Sequence, residues 1–348
     1  MRNVLSNAVH SPKALAKSVR DWARAKEWER KYMKRRLPFS SGVGDEIAEH
    51  LRTLGGRHRF GSFVYGETNV GDDVQTIAQL GYLPLDQDLA AYNRDEVASY
   101  RGSRRLFIMN GWFGNFPWPP SPNIDPIFIS FHMASKNLSK PEYADYYRRH
   151  QPIGCRDKAT AERLNQIGVE AYFSGCLTLT LRNPYGPEER GDYAVVVDAH
   201  LENEGTYPPS TPALLKRLVP RSILDNAIHV EQEVADRYAF NFAHKTARAL
   251  ELLDLYAKAK VVITTRLHCA LPCLALGTPV VFMHRSYDTD IRFDGFREVL
   301  KGYNLDAKAA DINWDAPQPT DISHLRQRVM ADLKARLWTK LELPGSPR

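Results

Sequence analysis

The sequence predicts a doubly wound α/β fold, and three observations carry the prediction. From about residue 60, apolar runs of strand length alternate with helical stretches. The β-branched runs are continuous rather than alternating, as expected of parallel strands buried on both faces. Nearly every such run ends in a polar or ionisable residue, and open α/β sheets bind ligands beyond the C-terminal ends of their strands.

The elements follow in order. Residues 12–36 read as a basic helix, with Pro12 near its start, Ala, Lys, Arg and Glu filling it, and Leu37-Pro38 ending it. Leu15, Val19, Trp22 and Ala23 share one face at helical spacing. Such a helix rests on an anionic membrane or packs its apolar stripe on the body or another subunit. A strand at 60–65 leads through Gly66 into a helix at 72–80. Strands follow at 106–109, 126–131 and 153–155, then a helix at 158–167 ended by Gly168. The second half reads as a strand at 194–197, a helix at 244–258, a strand at 261–264, a helix at 269–276, a strand at 280–283 and an amphipathic helix at 322–338. Residues 182–190 are rich in Pro, Gly and charge and form the expected boundary between two domains.

Composition narrows the function. The 348 residues are 43% hydrophobic and 25% charged, as in ordinary globular proteins. No apolar run reaches the roughly 18 residues of a membrane span, and residues 1–11 lack a signal-type apolar core, so a cytoplasmic protein is expected. The net charge is +6, but residues 1–60 hold 14 of the 47 Lys and Arg and only 6 of the 41 Asp and Glu. The body is therefore near neutral, which argues against a nucleic-acid partner. Cys155, Cys176, Cys269 and Cys273 form no CxxC pair and, even with His268, no zinc set. No metal is expected, and the four read as buried free thiols.

The sharpest local feature is Thr264-Thr265-Arg266-Leu267-His268, where a buried strand ends and a helix starts. A helix N-terminus offers free N–H groups, and an adjacent Arg adds a bidentate clamp for phosphate or carboxylate. Alternatively Arg266 pairs with a structural Asp and His268 is a satisfied core residue. Arg156-Asp157 repeats the pattern: Asp157 can cap the next helix, freeing Arg156 for a cleft, or the two form a local ion pair. The loop 66–73 matches neither nucleotide fingerprint, and Asp72 in it is a possible helix cap. Trp112, Phe113, Phe116 and Trp118 form an aromatic segment that suits stacking on sugars or packing against the domain.

Gly66-Glu67-Thr68-Asn69-Val70-Gly71-Asp72-Asp73, Asn110-Gly111-Trp112-Phe113, Ile129-Ser130-Phe131-His132, Cys155-Arg156-Asp157, Ile263 to His268 and Ala275-Leu276-Gly277-Thr278-Pro279 together resemble the polysaccharide pyruvyl transferase family. The resemblance covers roughly residues 60–300. It implies two Rossmann-like doubly wound domains in a GT-B-like arrangement, at 60–185 (acceptor side) and 190–348 (donor side), behind a basic helical extension at 1–59. It implies transfer of pyruvate from phosphoenolpyruvate to a sugar of a glycan or lipid-linked precursor, forming a ketal, with no cofactor. Carried over by motif, His132, Arg156, Arg266, Leu267 and His268 would bind the donor. Asn69, Asn110 and Trp112 would bind the acceptor, although many relatives have a run of glycines where this chain has Asn110-Gly111-Trp112. The catalytic acid and base would come from His268, His132, Asp72 and Asp157. Two other readings stand beside this one: a nucleotide-sugar glycosyltransferase of the same architecture, and a non-catalytic glycan-binding relative, against which the intact Arg156, Arg266 and His268 argue.

Overall fold

The computed structural model describes residues 12–55, 57–200 and 210–343. The reading of residues 1–11 and of the Leu15 side chain lies outside the described residues. In chain order the elements are α1 (Pro12–Tyr32), α2 (Val43–Leu54), β1 (Arg59–Val64), α3 (Gly71–Leu80), β2 (Asp88–Asn93), β3 (Arg105–Phe113), β4 (Ile124–Met133), α4 (Ala144–Arg148), β5 (Ile153–Cys155), α5 (Lys158–Gln166), β6 (Ala171–Phe173), β7 (Ala194–Val197), α6 (Ser210–Leu218), α7 (Arg221–Leu224), β8 (Ile228–Val230), α8 (Phe242–Lys258), β9 (Val261–Thr264), α9 (Leu267–Leu276), β10 (Val280–Met283), β11 (Gly302–Tyr303) and α10 (Ser323–Lys340).

The strands form two parallel sheets, ordered β2-β1-β3-β4-β5-β6 and β11-β10-β9-β7-β8. Their apolar runs are continuous because both faces are covered. Ile108 and Val64 face one buried cluster while Phe63, Phe107 and Met109 face another. The first of these clusters runs on through Val195, Val197, Val262 and Phe282, so one core joins the two sheets. Each sheet has one point where the strand order reverses, between β1 and β3 and between β7 and β9. Those are the places where loops splay apart and leave a crevice.

Four strands escape the sequence pattern. β2, β6, β8 and β11 are edge strands or their short neighbours, only partly buried, and carry no long apolar run. Strands β3 and β4 run on to Phe113 and Met133, so Asn110, Trp112 and His132 lie within strands and not in the loops after them. Ser130, at φ 53°, inserts one extra residue into β4. Phe128 and Phe131 thus reach the same cluster although three residues apart, and His132 turns away from it.

Helix α1 ends at Tyr32, four residues before the expected position. Beyond it Arg36 folds back to donate to the Leu80 and Leu83 carbonyls at 2.8 and 2.7 Å and to Asp45 at 2.7 Å. The buried stripe is Ala25, Trp28 and Tyr32, offset from the expected one, and Val19 and Trp22 are 39% exposed. Trp28 Nε1 donates to Thr246 Oγ1 at 2.8 Å, and Tyr32 donates to the Ala243 carbonyl at 2.9 Å. Glu29 accepts from the Ala91 N–H of edge strand β2 at 2.8 Å, covering an edge that would otherwise template aggregation. Among the described residues no helix is long and apolar enough to cross a membrane.

Candidate functional site

A cavity of about 250 Å³ opens where the two switch points face each other. From the first sheet it is lined by Glu67, Asn69 and Asp72 after β1, Trp112 in β3 and Arg156 after β5. From the second come Gln232, Thr265 to His268, His284, Arg292 and Phe293.

Helix α3 starts at Gly71, whose N–H is taken by Asn69 Oδ1 at 2.8 Å, and Asp72 sits in its first turn rather than capping it. A Cβ on Gly71 would lie 3.0 Å from the His268 Cβ and 3.1 Å from Gln232 Nε2, so glycine is what lets this helix end approach the opposite wall. Asp72 Oδ2 accepts from Arg94 Nη1 at 2.6 Å and Oδ1 from Gln75 Nε2 at 2.8 Å. Burial alone would raise the Asp72 carboxyl, but the Arg94 guanidinium overrides it and holds the pKa below its ordinary value.

On the other side, Pro272 lies inside α9 and has no N–H for the His268 carbonyl four residues earlier. His268 departs from helical geometry, at ψ 15°, and its carbonyl accepts instead from Gln232 Nε2 at 3.0 Å. Gln232 is itself tied to Asp198 Oδ1 through its N–H at 3.1 Å, and its carbonyl accepts from Val70 N at 3.0 Å. Asp198 holds φ 58°, a strained geometry for a residue with a side chain, at the end of β7. It receives Arg266 Nε at 2.6 Å, while Arg266 Nη2 reaches Glu233 at 2.6 Å. The structural pairing foreseen for Arg266 is therefore present, and the residue lines the cavity as well.

Arg156 differs. It is 3% exposed and lines the cavity, but no ion pair to it occurs among the described residues, and its buried Nε has no partner. Its Nη1 lies 3.3 Å from His268 Nε2. Burial, and then the charge of Arg156, push His268 down to about 3. Asp157 caps α5, accepting from Thr160 N at 2.8 Å, as the sequence allowed, and also faces His132 Nδ1 at 2.5 Å. Burial and the Arg156 charge take His132 down to about 4 against the pull of Asp157. With Asp157 ionised, the proton sits on Nδ1 and leaves Nε2 bare.

Of the residues singled out by sequence, Asn69, Asp72, Trp112, Arg156, Arg266, Leu267 and His268 meet at one cavity. His132 and Asp157 stand behind Arg156. Asn110 is fully buried beneath α3, donating to the Gln75 carbonyl at 3.2 Å. Phe113 and Trp118 are spent on the core, with Phe131 and Tyr147. Sequence reasoning missed Arg94, Arg292, Gln232 and Glu233. Arg94 follows a weak edge strand, and Arg292 lies on a 3₁₀ turn with no periodicity.

All four cysteines are buried and unpaired. Among the described residues no group of three or more His, Cys, Asp or Glu is placed to hold a metal ion.

No curated protein matches the chain. A functionally uncharacterised protein from Klebsiella pneumoniae subsp. pneumoniae NTUH-K2044, of known crystal structure, is 14% identical, with 76% of this chain and 99% of that one covered and a TM-score of 0.43, a likeness too distant to bear on function. The sequence profile of the polysaccharide pyruvyl transferase family matches residues 69–287, which includes every cavity residue except Glu67, Arg292 and Phe293, and the chain belongs to that family.

Proposed function

We propose that the protein transfers the pyruvyl group of phosphoenolpyruvate to two hydroxyls of one sugar in a glycan or its lipid-linked precursor, forming a ketal and releasing phosphate. The observation that carries this reading is Arg156, a buried guanidinium that lines the cavity, has an unpartnered buried Nε and makes no ion pair among the described residues. A buried cation left without a counter-charge is costly, and an anionic ligand offsets that cost. The donor carries a carboxylate and a phosphate. Arg156, Arg266 and Arg292 offer three guanidinium groups, and the N-terminus of α9 adds free N–H groups.

In the proposed reaction one sugar hydroxyl attacks the central carbon while a proton adds to the methylene carbon. The C–O bond to phosphate breaks, and a second hydroxyl closes the ketal. Of the two hydroxyl protons released, one ends on the new methyl group and one on phosphate. Asp72, kept ionised by Arg94, lines the cavity and serves as base. His268, beside Arg156, hands on the proton once a bound anion has raised its pKa. His132 and Asp157 pair with each other close enough to Arg156 for its charge to lower both of their pKa values. The scheme calls for no metal and no cofactor.

The reading extends to architecture and location. Residues 60–185 and 190–348 would be two Rossmann-like domains in a GT-B-like arrangement, with α10 crossing back to the first sheet through Arg336 and the Pro152 carbonyl at 2.7 Å. A donor from central metabolism implies a cytoplasmic enzyme. With a lipid-linked acceptor, the exposed Arg20 and Arg30 of α1 and Lys34 just beyond it would rest on an anionic leaflet.

Thermal unfolding with ligands tests the proposal. Phosphoenolpyruvate raises the midpoint by mass action, UDP and ADP do not, and Arg156→Met abolishes the shift. A shift with a nucleoside diphosphate and none with phosphoenolpyruvate would replace pyruvyl transfer by glycosyl transfer.

A further inference from the structure

A second, more open cavity of about 330 Å³ adjoins the first and shares Glu67 and Trp112 with it. Its remaining lining is Asp95, Gly114, Asn115, Phe116, Ala134 and Ser135. The two cavities differ sharply in charge. The first carries Arg156, Arg266 and Arg292 against the carboxylates of Glu67 and Asp72, while the second is lined by the carboxylates of Glu67 and Asp95 and, among the described residues, by no cation.

The acidity of this end is not cancelled from below. Arg94, fully buried, donates to Glu67 at 2.5 Å, Asp72 at 2.6 Å and Asp95 at 3.0 Å. One guanidinium thus serves three carboxylates. Glu67 and Asp95 keep side chains 40% and 35% exposed. Arg94 also lies 5.2 Å from the Trp112 ring centre, and Gly114 leaves room for that ring, since a Cβ there would lie 2.0 Å from it. The ring is therefore held from two sides on the wall between donor and acceptor.

We infer that this second cavity takes an uncharged sugar ring, stacked on Trp112 with hydroxyls donated to Glu67 and Asp95, and that it rejects sugars bearing a carboxylate or phosphate. The inference rests on the proposed function for the order of the two substrates, but its content is the charge of this cavity alone. Sugar hydroxyls donate to carboxylates, and an apolar sugar face stacks on an indole. A second anion a few ångströms from Glu67 and Asp95 meets like-charge repulsion in a partly solvated wall. The same polarity keeps the anionic donor at the arginine end, so the two substrates cannot exchange places.

The test is saturation-transfer NMR on the full chain with phosphoenolpyruvate present. The probes are p-nitrophenyl β-D-glucoside, β-D-galactoside and β-D-mannoside, against p-nitrophenyl β-D-glucuronide and glucose 6-phosphate. At least one neutral glycoside should receive saturation, with the charged probes weaker by on the order of tenfold. The double variant Glu67→Gln, Asp95→Asn should remove that discrimination, and Trp112→Ala should abolish neutral-sugar saturation. Wild-type binding of the glucuronide as strong as the glucoside overturns the inference, as does silence from every neutral probe or unchanged selectivity in the double variant. The thermal shift with phosphoenolpyruvate is read on the same samples. Its absence with sugar selectivity intact sinks the donor reading alone, and its presence with selectivity absent sinks this inference alone.

Discussion

Arg156 Nη1 and His268 Nε2 meet at 3.3 Å, 112 residues apart in sequence, one from the end of β5 and the other from the start of α9. A guanidinium has only donors, so His268 Nε2 must accept and the ring must be neutral with its proton on Nδ1. The low His268 pKa of about 3 has the same origin, burial and then the neighbouring positive charge. An anion in the cavity reverses the sign of that field.

Donor binding is therefore expected to take up a proton. Bound phosphate raises the His268 pKa from about 3, and between the free and bound values affinity strengthens as pH falls. Calorimetry of phosphoenolpyruvate binding, in buffers of different ionisation enthalpy, should show greater proton uptake by wild type than by His268→Gln. Equal uptake in the two would place the proton elsewhere.

Acid stability follows from the same two histidines. Their folded pKa values, about 4 for His132 and about 3 for His268, lie below the ordinary 6.5. Between pH 6.5 and about 4 the unfolded chain binds protons that the fold does not, so these groups favour the fold above pH 6.5 and that advantage drains away as pH falls. Each contributes a slope of about 1.4 kcal/mol per pH unit in this window. His132→Gln or His268→Gln should flatten the pH dependence of urea unfolding by about that much, whatever constant offset the substitution brings.

Arg94 is expected to matter more than its place outside the cavity suggests. It lies between the Tyr65 and Trp112 rings, at 4.6 and 5.2 Å, and holds three carboxylates. Arg94→Met leaves Asp72 buried without its partner and should cost about 3–5 kcal/mol. Arg94→Lys keeps the charge but not the fork, so it should retain more stability while moving the acid limb of the pH–rate profile upward as Asp72 loses its clamp. An unmoved acid limb in Arg94→Lys would mean that Asp72 is not the titrating base.

How much of this was legible beforehand differs by element. Strands such as β7, β9 and β10 stand out because both faces are buried, and the residues after β1, β5 and β9 could be read as a site because strand ends face the crevice. The strand ends read from hydropathy fall before His132 and Asn110, because the extra residue in β4 and the long extension of β3 leave no mark in it. Arg94 was invisible because β2, Asp-Leu-Ala-Ala-Tyr-Asn, is half buried throughout. The buried stripe of α1 was misplaced because Ala25, Trp28 and Tyr32 compete with Val19 and Trp22 on hydropathy alone, and the polar partners Thr246 and Ala243 lie more than 200 residues away.

Helix α1 should behave as part of the body. Trp28 is fully buried and bonded to Thr246, which in turn reaches Asp73 Oδ1 at 3.3 Å. Trp28→Ala should destabilise by about 3–5 kcal/mol through the cavity alone. Thr246→Val, which removes the acceptor of the indole N–H, should cost about 1–3 kcal/mol. Unchanged unfolding midpoints in both variants would show α1 to be a detachable appendage.

Pro272 shapes the site from inside α9. Its missing N–H frees the His268 carbonyl for Gln232, and that bond links the kinked start of α9 to Asp198 and to the N-terminus of α3. Pro272→Ala supplies an N–H at the position that a regular helix would use, so it competes with Gln232 and draws His268 toward helical geometry. The helix itself should gain stability, by about 1–3 kcal/mol. The ring of His268 should shift relative to Arg156, and an ångström of misplacement costs on the order of a hundredfold in rate. Gain in melting temperature together with loss of donor affinity would show that the proline trades helix stability for the placement of His268. Unaltered donor affinity would show that Gln232 and Arg156 hold the ring without it.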